Sequence, residues 1–293
     1  MRRSLHLTTL LLLLMALAAP ATAAPPLTVA VSIPPQAFFV ERIGGPYVKP
    51  LVVLPPGASP ATYEVSPRQL AALGAARLYL SIGVPFERTF LPRLAAKLPR
   101  LKIVSMAAGI KLRRLEGRHQ SGHGHEAGAP DPHVWLSPRL ARVLAANTAR
   151  ALSQLDPAHA KTFGANLAKL EAELAALDAE LARRLAPLKG RVFLVFHPAY
   201  GYFADAYGLK QEAVELEGKE PGPRRLASLI DQAKAKGVKV IFVQPQFSPA
   251  SAAALARAIG GVVVPLDPLS RDYLANLRAM AQKVAQNLGP ARP

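Results

Sequence analysis

Four side chains stand where the pattern of strands, loops and prolines sets a residue at or near the end of a strand: Glu64, His133, His197 and Asp267. His197 directly follows the apolar run Val192 to Phe196 and precedes Pro198. The proline restricts it to extended backbone, so its ring leaves from the strand end. Asp267 follows Val262 to Leu266 and also precedes a proline. His133 lies in Asp131-Pro132-His133-Val134-Trp135-Leu136-Ser137-Pro138, between a proline and an aromatic-apolar run, where a loop rich in Gly and His ends. Two imidazoles and a carboxylate from separate segments suit a divalent cation such as Zn2+ or Mn2+. Singly, each has an ordinary explanation, as a hydrogen-bonded structural histidine or an Asp-Pro turn or helix cap. Their joint placement is what makes a candidate site.

The 293-residue chain has no cysteine, which removes disulfides, thiolate ligands, cysteine nucleophiles and a lipidated N-terminal cysteine together. Any metal site must use nitrogen and oxygen. Arg2 and Arg3, the apolar Leu10 to Ala19 and the small-residue motif Ala21-Thr22-Ala23 read as a secretory leader cleaved near Ala23. No apolar run reaches the ~20 residues that cross a bilayer. A soluble exported protein of the periplasm is expected. The formal charge falls from +17 to +15 once Arg2 and Arg3 leave, with 34 basic against 19 acidic side chains. Arg and Lys are scattered along helices without interleaved aromatics, so a solvated basic surface is expected and no nucleic-acid partner.

These residues must be positioned by the elements around them. Strands are expected at Leu27 to Ser32, Pro50 to Leu54, Leu78 to Ile82 and Leu101 to Ser105. A second set is expected at Val192 to Phe196, Gln211 to Glu215, Val238 to Val243 and Val262 to Leu266. Helical segments alternate with them, which indicates βα units around mostly parallel sheets. Lys111 to Pro130 breaks this rhythm and reads as a loop without packed structure; it carries His119, His123 and His125 among glycines. Helices follow from Pro138 to Leu155 and, after Asp156-Pro157, to about Leu188. Leu167, Leu170, Leu174, Leu177 and Leu181 form one stripe, too short for a coiled coil, so it should pack inside a monomer. The expected architecture is α/β, two lobes each with a four-stranded sheet and flanking helices, joined by one long helix. The divisions are 1–23 leader, 24–155 first lobe with the His-rich loop 117–130, 156–188 linking helix and 189–293 second lobe. Ligands of such sheets bind beyond the carboxyl ends of the strands.

Several stretches together resemble the solute-binding proteins of zinc and manganese ABC transporters. They are Pro56-Gly57-Ala58-Ser59-Pro60-Ala61-Thr62-Tyr63-Glu64, Asp131 to Leu136, Phe196-His197-Pro198-Ala199-Tyr200, Gly218-Lys219-Glu220-Pro221, Phe242-Val243-Gln244-Pro245-Gln246-Phe247 and Asp267-Pro268-Leu269. The resemblance implies two α/β lobes on a single long helix, metal ligation by His133, His197 and Asp267, and delivery to a permease in the inner membrane. It also implies two departures. The position where the family commonly has its first histidine ligand is Ala61, and a frequent glutamate is Gln244.

A three-ligand site can still hold zinc if water, a loop histidine or Glu64 completes it, in that order of expectation, with the Tyr63 phenol a weaker choice. His119, His123 and His125 are either incidental or a metal-capture device, and His159 is expected at the surface. Histidines lean the metal toward Zn2+, with Mn2+ the alternative. The leading reading is a non-enzymatic metal receptor. A His2Asp site with bound water also describes a zinc hydrolase, although no His-Glu-x-x-His helix is present. A metallochaperone, an adhesive role or a binder of another solute on the same fold is the third reading.

Overall fold

A computed structural model describes residues 25–115, 129–214, 223–235, 237–247 and 249–289. The leader, the three loop histidines and Gly218 to Pro221 fall outside them.

Strands β1 (Leu27–Val31), β2 (Val48–Val52), β3 (Leu78–Ser81) and β4 (Lys102–Ser105) form one sheet in the order β2-β1-β3-β4. Strands β5 (Val192–Val195), β6 (Lys210–Ala213), β7 (Val240–Val243) and β8 (Val262–Pro265) repeat the order as β6-β5-β7-β8. Neighbouring strands are parallel throughout both sheets. β3 and β7 sit inside their sheets and are buried along their whole length, which is why they read as continuous apolar runs. β2 begins two residues earlier than expected and contains Pro50, opposite Val29. β2 is an edge strand, where a missing N–H leaves no ladder bond unmade, so the proline does not delay it.

Helices α1 (Pro34–Gly44), α2 (Pro67–Ala72), α3 (Glu87–Lys97) and α4 (Pro138–Leu155) belong to the first lobe. Helices α6 (Gly201–Tyr207), α7 (Pro223–Ala235), α8 (Pro249–Ala258) and α9 (Tyr273–Leu288) belong to the second. Between them runs α5 (Ala160–Leu185), 26 residues with a 3-10 turn at each end, or ~39 Å of helix. Its leucines settle where the stripe faces. Leu170, Leu174, Leu177, Leu181 and Leu185 are fully buried, and Leu167 is half-buried against the same core. α5 packs on α1, α4 and α9 of its own chain. Arg42 of α1 pairs with Glu173, and Arg278 of α9 pairs with Glu180, so both lobes are fastened to one helix.

The alternation of β5 divides the second lobe. Phe193 and Val195 join Phe242 in a core that runs through the first lobe and α5. Leu194 and Phe196 point the other way, with Ile241, Val243, Leu255 and Ile259, into a smaller core beneath α7 and α8.

The expected loop from Lys111 to Pro130 is not wholly unpacked. Arg114 and Pro130 form an antiparallel bridge, and the Leu115 N–H donates to the Ala129 carbonyl at 2.9 Å. Its two described ends therefore pair as a short stem, which polar composition alone does not reveal.

Candidate metal centre

In both sheets the chain crosses to opposite sides after the first strand, so a crevice opens between the carboxyl ends of β1 and β3, and of β5 and β7. His197 stands two residues past β5 and Gln244 one residue past β7. The Gln244 amide ties them: its Oε1 accepts the His197 N–H at 3.3 Å, and its Nε2 donates to the His197 carbonyl at 2.8 Å. A glutamate could not donate to that carbonyl while ionised. Gln244 is nearly fully buried, so both ends of its amide serve this junction. The His197 ring also stacks on Phe247 at 5.3 Å and 27°.

His133 caps a 3-10 turn, Val134–Leu136, that leads into α4. Asp131 holds it twice: its Oδ1 accepts the His133 backbone N–H at 3.0 Å and meets ring Nδ1 at 2.7 Å. An ionised carboxylate can only accept, so Nδ1 carries the proton and Nε2 is left with its lone pair for a metal. Asp131 is buried, and its intervening proline shapes the turn that returns the carboxylate to its own histidine. The two histidine rings meet edge to face across the lobes, 5.4 Å between centroids at 73°.

Trp135 binds this wall to the other lobe. Its indole N–H donates to the Pro268 carbonyl at 2.7 Å, and its own carbonyl accepts the Tyr273 hydroxyl. Asp267 is thus carried beside the His133 segment by the residue that follows it. Its Oδ1 accepts the Leu269 N–H at 2.9 Å and the Gln246 amide at 3.2 Å, and Asn276 donates to its carbonyl at 2.7 Å. Tyr200 donates to the Leu266 carbonyl at 2.9 Å. Burial raises the phenols of Tyr200 and Tyr273 well above their ordinary value, with the Asp267 carboxylate adding to Tyr200, so both remain donors.

Behind His133, the turn after β3 rests against Pro132: a Cβ on Gly83 would lie 3.9 Å from that of Pro132. The buried Glu87 organises the turn. Its carboxyl accepts the N–H groups of Ile82 at 2.9 Å and Gly83 at 2.7 Å, together with the Ser32 hydroxyl. Burial pushes this carboxyl above its usual range, against the pull of those three hydrogen bonds.

Of the residues singled out in the sequence, the structure brings the rings of His133 and His197 together, edge to face. Among the described residues no three His, Cys, Asp or Glu side chains are already gathered closely enough to hold an ion. Glu64 and Ala61 are exposed on the loop before α2. Tyr63 spends its hydroxyl on Gln69, at 2.6 Å. His159 is half-buried rather than a bare surface residue, stacked on Tyr47 at 3.7 Å with Nδ1 2.6 Å from Asp156. Sequence reasoning gave no role to Asp131 or Trp135, and read Gln244 only as the place of a missing family glutamate. Of these, only Asp131 carried a local signal, an acid two residues before the histidine it orients.

Two parallel α/β lobes on one long helix, with histidines meeting between them, define a helix-linked solute-binding protein. The family model described as "Zinc-uptake complex component A periplasmic" matches residues 29–287. The chain belongs to this ZnuA family. The high-affinity zinc uptake system protein ZnuA of Paracoccus denitrificans is 31% identical over 298 residues, covering 89% of this chain and 91% of the relative. A crystal structure of a ZnuA deletion mutant with zinc bound is 42% identical with a TM-score of 0.84, and covers 92% of this chain and 100% of that one. The solute-binding protein FpvC from Pseudomonas aeruginosa, in complex with Mn2+, is 27% identical with a TM-score of 0.76, over 90% and 98% of the two chains.

Proposed function

We propose that this chain is the periplasmic receptor of a zinc importer, binding Zn2+ between its lobes and presenting it to an ABC permease in the inner membrane. The observation that carries this is the pair His133 and His197, one from each lobe with ring centroids 5.4 Å apart, with Asp131 holding Nδ1 of the first so that Nε2 is the nitrogen left for a metal. Asp267 is the third ligand, and the donor set of two imidazoles and one carboxylate fits zinc. Manganese is the alternative, as in the FpvC complex, but imidazole nitrogen favours zinc over manganese in the ordinary order of divalent affinities. Water completes the coordination, since Ala61 brings no donor atom. Loop histidines 119, 123 and 125 are the second choice for that position and Glu64 the third.

The protein acts by binding and release rather than by turnover, as a monomer exported by the leader ending near Ala23. This separates it from a zinc hydrolase, whose ligands it would share. Titration calorimetry of the mature chain is expected to show about one zinc per molecule, and zinc at 100 times Kd should stabilise the fold by ~2.7 kcal/mol. His197→Ala should abolish tight binding. Unchanged binding in that variant defeats the site, and zinc-dependent cleavage of ester, phosphate or peptide substrates that His133→Ala removes defeats the receptor role.

A further inference from the structure

The lobes meet at a second place on the rim of the cleft. Arg113 lies in the first lobe, in the stem that leads toward His133: its carbonyl accepts the Asp131 N–H at 2.9 Å. Its side chain crosses to α6 of the second lobe. There Nη1 donates to the Gly201 carbonyl at 2.5 Å and pairs with Asp205 at 2.7 Å, while the guanidinium lies 5.8 Å from the Tyr202 ring centroid. α6 answers with Tyr202, which is 5% exposed. Its hydroxyl accepts the Arg113 N–H at 2.8 Å and donates to the Asp131 carbonyl at 2.9 Å.

One phenol thus joins both strands of the stem to the helix that begins four residues after His197. Burial raises this phenol, so it keeps its donor proton at neutral pH. Gly201 makes the approach possible, since a Cβ there would lie 2.8 Å from the guanidinium carbon. Breaking the phenol bond to the Asp131 carbonyl leaves a buried backbone group without that partner, which is costly.

We propose that Arg113 and Tyr202 form an interlobe latch, positioning residues that hold the His133 segment and the His197 helix at one separation before a metal arrives. A cleft held at one width spends less of the binding energy on ordering itself, and it opens less often to release what it holds. That second consequence rests on the zinc-receptor reading; the latch itself does not.

The chain contains no cysteine, so Arg93→Cys and Arg257→Cys, exposed sites in different lobes, accept spin labels cleanly. Pulsed dipolar spectroscopy of the metal-free protein should give one narrow distance distribution. Tyr202→Phe and Arg113→Ala should broaden or shift it. Gly201→Ala should do the same while retaining both latch residues, because its methyl occupies the guanidinium's place. Zinc release into a competing chelator should be at least ten-fold faster in Tyr202→Phe. Distributions as narrow as the parent's and centred at the same distance in all three variants, whatever their melting temperatures, overturn the latch. A broadened distribution with an unchanged zinc release rate overturns its role in retention. If the parent binds no zinc, the receptor reading fails while the distances still report on the latch.

Discussion

In the proposed site Asp131 decides which nitrogen of His133 would be offered to a metal, and the effect of replacing it follows from the chemistry of that bond. Asn presents an amide that can donate to Nδ1, which frees the proton to move to Nε2 and blocks the ligand atom. Asp131→Asn should therefore weaken zinc binding by about 10- to 100-fold, the range seen when such supporting carboxylates are lost. Competition titration against a chelator of known affinity measures it, and an affinity equal to the parent's would show that the tautomer is set elsewhere. Glu87 makes a prediction about acid. Its carboxyl is raised from 4.5 by burial, so above pH 4.5 the unfolded chain loses this proton while the folded chain keeps it until its own higher pKa. The folded state then holds the extra proton in that window, and stability falls as pH rises through it. The unfolding free energy of the parent minus that of Glu87→Gln should decline from pH 4.5 upward and level off above the folded pKa. A flat difference across urea melts at several pH values would mean that the carboxyl does not titrate there.

At the scale of elements, α5 does what its leucine stripe requires, but the partner of the stripe is not written in the stripe. The spacing of Leu170, Leu174, Leu177 and Leu181 shows a buried face; that α1 and α9 cover it from opposite lobes depends on how the sheets are stacked. Because Leu174 is fully buried in a core shared by both lobes, Leu174→Ala should cost ~2–5 kcal/mol. Urea unfolding followed by Trp135 fluorescence and by far-UV dichroism should still give coincident transitions, shifted together. Two separated transitions would show that the lobes unfold independently and that α5 belongs to only one of them. The edge position of β2 is a similar case: Pro50 suggested where a strand could begin, and its register against β1 shows why the proline does not interrupt it.

For the whole molecule, charge sets the approach of the cargo. The formal charge is +17, or +15 if the leader is removed as proposed, so a divalent cation is repelled by the summed field whatever ligands await it. Raising salt from ~10 mM to ~150 mM shortens the screening length from ~30 Å to ~8 Å and should increase the zinc association rate severalfold. Stopped-flow competition with a fluorescent indicator tests this, and a rate that falls with salt would indicate a locally negative cleft mouth that outweighs the net charge. Among the described residues no helix is long and apolar enough to cross a membrane.

The order of strands and helices, the apolar character of β3 and β7, and the positions of His133, His197 and Asp267 beside strand ends or prolines were legible because each depends on short-range periodicity or a neighbouring residue. The Asp131 bond to His133 spans only two residues and was legible in principle from the same stretch. The meeting of His133 with His197, the Gln244 bridge, the Trp135 bond to Pro268 and the Arg113 and Tyr202 latch join residues from 47 to 133 positions apart. The packing of two sheets onto α5 decides the contacts between lobes, and the pairing of β5 with β7 inside one sheet decides the Gln244 bridge, since sequence spacing places no constraint on which distant side chains meet.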